Sequence, residues 1–273
     1  MDQFPPAIPA WVAGVLAAWV VIGAGVYFCV VRLVARKGGK VSTQEFKEPD
    51  LILCCAYIAW IVMNIWSGFG RPQQDVDQNQ IISAEGVFVI IVGLPLLFMM
   101  FRGIDPVRQF GVTRLSPFSC LVLAAGLILA AHPLVLVAEG ITAEAMHGKA
   151  EPQNVVEFFV NASQKSDLKG VCVLLVLAVF VAPVAEETIF RGYIYGVMKR
   201  YIGGIGAGLL SAGLFAAMHL NMAALPALFV LALCLTLAYE ATGSLLVNIF
   251  MHGFFNLSML LVILYLTGHP GMS

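Results

Sequence analysis

The stretch AEETIFRG, residues 185–192, places two adjacent carboxylates and an arginine at the end of an apolar run, residues 170–185, that contains no charged side chain. A charged side chain at bilayer depth costs roughly 2.5–3.5 kcal/mol on insertion scales, so three within six residues require partners. On a helix, Glu187 and Arg191 are four residues apart, share one face and can form an ion pair. Glu186 points in another direction and needs a different partner.

The composition of the whole chain indicates a membrane protein. Of its 273 residues, 60% are hydrophobic and 11% are charged, whereas a soluble domain carries about 25% charged residues. The net charge is −1 and no basic patch is present, so the composition gives no support for a nucleic-acid partner. We therefore predict an all-α protein, a polytopic bundle of transmembrane helices whose partner is the lipid bilayer.

The uncharged runs predict eight spans, because about 20 apolar residues are needed for a helix to cross a bilayer. Four of these form an N-terminal transmembrane region, residues 1–170, which ends in an extracytoplasmic loop. The other four form a C-terminal helical core, residues 171–273. The predicted spans cover approximately residues 7–31, 51–70, 81–101, 117–138, 171–200, 205–220, 224–239 and 244–266.

The distribution of basic residues predicts the orientation of the chain. The loops after spans one, three and five hold five, three and two Lys or Arg residues, ten in total, whereas those after spans two and four hold one and three, four in total. Loops rich in Lys and Arg stay in the cytoplasm. Both termini are therefore expected on the extracytoplasmic side of a prokaryotic plasma membrane.

Two further polar motifs lie in the spans that follow the acidic stretch. FAAMH, residues 215–219, ends in His219, and HGFFN, residues 252–256, places His252 and Asn256 one helical turn apart. A carboxylate, two histidines and an amide from separate helices are costly at membrane depth unless they converge. If they converge, a carboxylate and an imidazole can deprotonate a water, and a second imidazole and an amide can donate to an oxyanion.

The motifs EExxxR (186–191), FxxxH (215–219) and HxxxN (252–256), in this order, resemble the signature of the CAAX-processing and bacteriocin-processing intramembrane proteases. The resemblance covers about residues 171–266 and implies a prenyl-protein endopeptidase-like enzyme with its active-site cavity among the C-terminal helices. Members of this family cleave near the C-terminus of prenylated proteins or process small peptides. The expected substrate is therefore a peptide or a lipidated protein.

The resemblance also implies a role for each motif residue. Glu186 and His219 would activate the water, and His252 and Asn256 would stabilise the oxyanion. Glu187 and Arg191 would support the first motif. No metal or other cofactor is expected on this interpretation.

Three alternatives stay open at this point. Glu186, His219 and His252 are also residue types that bind zinc, as in a metalloprotease of the same family, although the chain has no HExxH motif and Asn256 is a poor zinc ligand. A non-catalytic member would act as a bacteriocin-immunity or scaffold protein. A proton-coupled transporter would use Glu186 as its relay.

One further carboxylate, Glu240, lies at a predicted helix end and is expected to be solvated.

Overall fold

The structure is a computed structural model that describes residues 9–68, 78–146, 160 and 168–268. Every regular element within these residues is a helix. The helices are α1 (Ala10–Lys37), α2 (Glu48–Gly68), α3 (Gln78–Phe101), the short α4 (Pro106–Gln109), α5 (Pro117–Ala145), α6 (Leu168–Met218), α7 (Leu225–Thr242) and α8 (Leu245–Gly268). The predicted all-α class is confirmed.

Six of the described helices, α1, α2, α5, α6, α7 and α8, are long and apolar enough to cross a membrane, whereas the apolar part of α3 is shorter, Gly86–Phe101. The protein is therefore an integral membrane protein, but the predicted count of eight spans is not confirmed and stays a prediction. Most of the predicted loop at residues 139–169 lies outside the described residues, and α5 continues into its beginning as far as Ala145.

Helix α6 carries the acidic motif and is 51 residues long, more than twice the length that one crossing requires. It bends at Gly203, whose backbone has a φ of 75° and a ψ of 169°. Glycine adopts a positive φ at little cost because it has no Cβ atom. The bend lies between the predicted fifth and sixth spans, so these two spans correspond to the two arms of α6.

Prolines inside the helices are compensated by side chains from neighbouring helices. A proline has no N–H, so the carbonyl four residues before it loses its helical partner. Tyr57 Oη donates to the carbonyl of Ile91, which Pro95 leaves free, at 2.5 Å. The indole of Trp19 donates to the carbonyl of Leu129, four residues before Pro133, at 2.9 Å. These bonds matter because lipid offers the freed carbonyls no other donor.

The two larger hydrophobic clusters each combine residues from both sides of residue 170. The first includes Tyr57 from α2 and Tyr193 from α6, whose rings meet edge to face. The second joins Tyr27 of α1 to Leu235 of α7 and Met251 of α8. The helices that carry the motifs are thus packed directly against the N-terminal ones, while the division at residue 170 stays a prediction.

The expectation that Glu240 is solvated is wrong. Its side chain is buried and accepts hydrogen bonds from Tyr195 Oη and, at 2.5 Å, from Lys199 Nζ. The extended segment after α1 covers this end of α7, because the backbone N–H of Lys40 donates to the Glu240 carbonyl oxygen at 2.8 Å. The burial follows from a contact between distant parts of the chain.

Candidate active site

The two glutamates of the acidic motif, Glu186 and Glu187, lie between two stretches of α6 that are wound as π-helix, Leu177–Val181 and Thr188–Tyr195, and Arg191 lies in the second. In a π-helix each N–H bonds to the carbonyl five residues earlier, and such turns occur frequently at functional sites. The N–H of Ala182 bonds in this way to Leu177. The next donor in the series belongs to residue 183, which is a proline, so the carbonyl of Ala178 has no partner in its own helix.

Asn256 of α8 supplies the missing donor. Its Nδ2 atom lies 2.7 Å from the carbonyl oxygen of Ala178. At the same level α6 and α8 approach closely. A Cβ atom added to Gly253 would lie 2.6 Å from the carbonyl oxygen of Val179. Close approach of small residues is a usual packing mode between transmembrane helices. The HxxxN motif is thus held against the residues that precede the acidic motif.

Glu187 is the centre of the buried polar network. Its Oε1 atom accepts from Arg191 Nη1 at 2.8 Å and from His252 Nδ1 at 3.0 Å, and its Oε2 atom accepts from Asn248 Nδ2 at 3.3 Å. The Glu187 and Arg191 side chains are both fully buried. Removing one partner of a buried ion pair strongly destabilises a protein. Glu187 and Arg191 are therefore suited to supporting the structure of the site.

Arg191 is further stabilised by an aromatic ring. Its guanidinium carbon lies 4.4 Å from the ring centroid of Phe215, a distance typical of cation–π contacts. The same ring meets His219 at a centroid distance of 4.9 Å and His252 at 5.7 Å. Phe215, the first residue of FxxxH, is therefore the contact through which the three motifs meet.

Glu186 is less enclosed than its neighbour and has different surroundings. Its side chain is 18% exposed, and its Oε2 atom lies 3.8 Å from His252 Nε2, too far for a direct hydrogen bond. This oxygen is buried and has no hydrogen-bond partner among the described residues. The structure thus distinguishes the two carboxylates: three donors engage Glu187, and one Glu186 oxygen has none.

His219 caps the C-terminal end of α6. Its Nδ1 atom lies 2.8 Å from the carbonyl oxygen of Phe215, and the following residue, Leu220, has a φ of 52°. A positive φ is uncommon outside glycine, and here it ends the helix directly after the histidine. Within the described ranges no hydrogen bond or ion pair joins His219 to Glu186. The contact with the rest of the site is made by Phe215.

The structure therefore brings Glu186, Glu187, Arg191 and His252 into one cluster. It places Asn256 one turn further along α8, and His219 contacts the cluster through the ring of Phe215. The catalytic roles of these residues stay predictions. Sequence reasoning missed Asn248, which is fully buried and bonds both Glu187 and the carbonyl oxygen of Leu235. Its spacing of four residues from His252, in an apolar helix, is the signal that would have found it.

The zinc alternative requires Glu186, His219 and His252 to converge on one point. In the part of the chain that the structure describes, no three His, Cys, Asp or Glu side chains are placed to hold a metal ion together. The residues as placed do not fit this ligand set. We therefore assign no reaction step to a metal.

Comparison with known protein families gives a match in the C-terminal part of the chain. The sequence model of a family described as Type II CAAX prenyl endopeptidase Rce1-like matches residues 168–258. No curated protein and no solved structure matches the chain. The matched residues contain all three motifs and cover most of the predicted extent of the resemblance, about residues 171–266. Over residues 168–258 the chain is thus similar to the CAAX-type intramembrane endopeptidases, the family that its motifs predict.

Proposed function

We propose that the protein is an intramembrane endopeptidase in which Glu186 and His219 activate a water that attacks a peptide bond, while His252 and Asn256 stabilise the oxyanion. The observation that carries the proposal is the position of Glu186 Oε2, which is buried, unpartnered among the described residues and 3.8 Å from an imidazole nitrogen. A carboxylate with a free oxygen beside an imidazole has the arrangement expected of a general base.

The different surroundings of the two glutamates support the assignment of the base to Glu186. Glu187 already accepts from Arg191, His252 and Asn248, so both of its oxygens are engaged in structural contacts. Glu186 has an oxygen that can accept a proton from water. The hydroxide formed would attack the carbonyl carbon, and the same proton would later go to the leaving amine as the C–N bond breaks.

The remaining motif residues can serve the same reaction. His219 bonds the Phe215 carbonyl through Nδ1, so in a neutral ring Nδ1 carries the proton and Nε2 is an acceptor. Asn256 uses one N–H of its amide on Ala178, and its second N–H is available for a developing oxyanion. One such donor typically contributes about 10²–10³ in kcat.

The substrate class and the membrane orientation are part of the proposal. The family description names prenyl endopeptidases, so we propose a peptide or lipidated protein as substrate. The basic loops after predicted spans one, three and five contact one another, which supports the proposed orientation. Arg200 Nη1 donates to the carbonyl oxygen of Thr43 at 3.3 Å, and Gln109 Nε2 donates to that of Ser42 at 2.9 Å. Loops in contact lie on one side of the membrane, which we propose is the cytoplasmic side of a prokaryotic plasma membrane.

The proposal is tested by comparing proteins in the membrane and secreted fractions of cells that carry wild type, Glu186→Ala or Glu139→Ala. Glu139 is an exposed carboxylate of α5 and serves as the matched control. We expect substrates to accumulate uncleaved with Glu186→Ala alone. A scaffold or immunity protein would instead give the same peptide termini in all three strains, which would contradict the proposal.

A further inference from the structure

We infer that Glu187 and Asn248 hold His252 with its proton on Nδ1, so that Nε2 receives the proton that Glu186 removes from the water. This inference rests on the proposed function and deepens it. It gives His252 a proton-accepting step before it stabilises the oxyanion. It also assigns Asn248, which belongs to none of the three motifs, as a positioning residue.

The tautomer follows from the bond between His252 and Glu187. His252 Nδ1 lies 3.0 Å from Glu187 Oε1, and the same oxygen accepts from Arg191 Nη1 at 2.8 Å. The other two neighbours of Glu187 in this network, Arg191 and Asn248, both donate to it, which is the environment of an ionised carboxylate that only accepts. The proton of the bond therefore belongs to Nδ1. In a neutral imidazole the other nitrogen, Nε2, is then an acceptor.

Asn248 fixes the carboxylate on its other side. Its Nδ2 atom lies 2.8 Å from the carbonyl oxygen of Leu235 in α7 and 3.3 Å from Glu187 Oε2. Both partners are acceptors, so the orientation of the amide is determined by the network itself. Asn248 thereby ties Glu187 to the backbone of a neighbouring helix. This contact holds Glu187, and through it His252, in one orientation.

The tautomer determines what can happen between His252 and Glu186. Nε2 and Glu186 Oε2 are both acceptors and lie 3.8 Å apart, so neither donates to the other. A water about 2.8 Å from each atom satisfies both. His252 can then donate to an oxyanion only after Nε2 has gained a proton.

The inferred reaction steps conserve both protons and charge. Glu186 Oε2 takes a proton from the water as the hydroxide forms a bond to the substrate carbonyl carbon, which produces the oxyanion. The proton passes from Glu186 to Nε2, so Glu186 is again a carboxylate and His252 is an imidazolium. The Nε2–H group then donates to the oxyanion. As the C–N bond breaks, the proton moves from Nε2 to the leaving amine.

The tautomer can be measured without a substrate. We would label the histidine ring nitrogens of the full-length protein with ¹⁵N in detergent micelles and record spectra at about pH 8. The signals of His252 are those lost in His252→Gln. We expect a protonated Nδ1 and an unprotonated Nε2. A ring protonated on Nε2 would overturn the inference, even if the protein proved to be a protease.

A second experiment separates proton acceptance from simple donation. The probe is a quenched fluorogenic peptide that ends in a farnesylated cysteine and three further residues. Gln can donate a hydrogen bond but cannot take up a proton, so we expect His252→Gln to be as inactive as His252→Ala. Recovery by His252→Gln to within about 10-fold of wild type would show a donor role alone and overturn the inference. Retained activity in Glu186→Gln would instead contradict the proposed function.

The role of Asn248 is tested with Asn248→Leu and the control Asn64→Leu. Asn64 of α2 is exposed and bonds the carbonyl of Trp60 in its own helix. A displaced catalytic group typically costs about 10²-fold, so we expect a loss of this size in kcat with KM unchanged for Asn248→Leu. The ¹⁵N spectrum should then show His252 in both tautomers. Unchanged kcat and an unchanged spectrum in a folded Asn248→Leu protein would contradict the positioning role.

Discussion

The side-chain amide of Asn256 donates to the backbone carbonyl of Ala178, 78 residues earlier in the chain, at 2.7 Å. The carbonyl is available because α6 is π-helical at this point and the residue five positions later is Pro183. A motif residue to which the family resemblance gives a chemical role therefore also satisfies a backbone acceptor in an apolar region. An unsatisfied acceptor of this kind costs about 1–3 kcal/mol.

This relationship predicts an energetic coupling between positions 183 and 256. Asn256→Ala should destabilise the protein by about 1–3 kcal/mol, because the Ala178 carbonyl loses its donor. In a Pro183→Ala background the new backbone N–H can replace that donor, so the same change should cost about 1 kcal/mol less. The measurement is a double-mutant cycle from unfolding curves of the purified protein in detergent.

The matched control for this cycle is Asn64→Ala combined with Pro183→Ala. Asn64 bonds a carbonyl of its own helix and is exposed, so its effect should add to that of Pro183→Ala within about 0.5 kcal/mol. Additive effects for Asn256 as well would show that Pro183 does not create the need for the Asn256 bond.

The apolar runs and their breaks predicted the helices well, because long uncharged segments in lipid have few alternatives to a helix. The four-residue spacing of Glu187 and Arg191 likewise predicted their ion pair. The π-helical turns around the motif could not be predicted, since hydrophobic periodicity over so few residues does not distinguish the two windings. Glu240 was misjudged because the segment that buries it, around Lys40, is 200 residues away in sequence.

The buried pair predicts that Glu187 serves stability more than Glu186 does. Glu187→Leu should cost about 3–5 kcal/mol, because it leaves the fully buried Arg191 without its counter-charge. The double variant Glu187→Leu with Arg191→Met should be more stable than Glu187→Leu alone, since both charges are then removed. Glu186→Leu should change stability far less. Thermal unfolding and accumulation in the membrane would measure the three effects.

The comparison of the single and double variants is what decides this prediction. If Glu187→Leu were no less stable than Glu186→Leu, the ion pair would not be a stabilising centre of the site. If the double variant were less stable than Glu187→Leu, the contact of Arg191 with the ring of Phe215 would outweigh the cost of leaving its charge unpaired.

The contacts among the basic loops predict the sidedness of the chain. Reporter fusions after Lys40, Arg108 and Arg200 should all report cytoplasm, because basic loops are retained there and these three lie together. Fusions after Gln78 should report the opposite side. The same is expected after Gln153, which lies outside the described residues. A fusion after Arg200 that reports the outside would separate it from the other basic loops and contradict the contacts between them.

The metal-free reaction and the zinc alternative assign different roles to His252 and predict different results for chelation and for His252→Ala. If His252 only accepts and donates protons, exhaustively chelated and purified protein should keep its activity on the farnesylated peptide, and wild type and His252→Ala should contain equally little zinc. If His252 were a zinc ligand, its loss should remove both metal and activity, because a structural or catalytic zinc site needs its full ligand set. Zinc measured by elemental analysis, with activity assayed on the same sample, decides between them. Stoichiometric zinc in active protein, lost together with activity in His252→Ala, would replace the proposed mechanism with that of a metalloprotease.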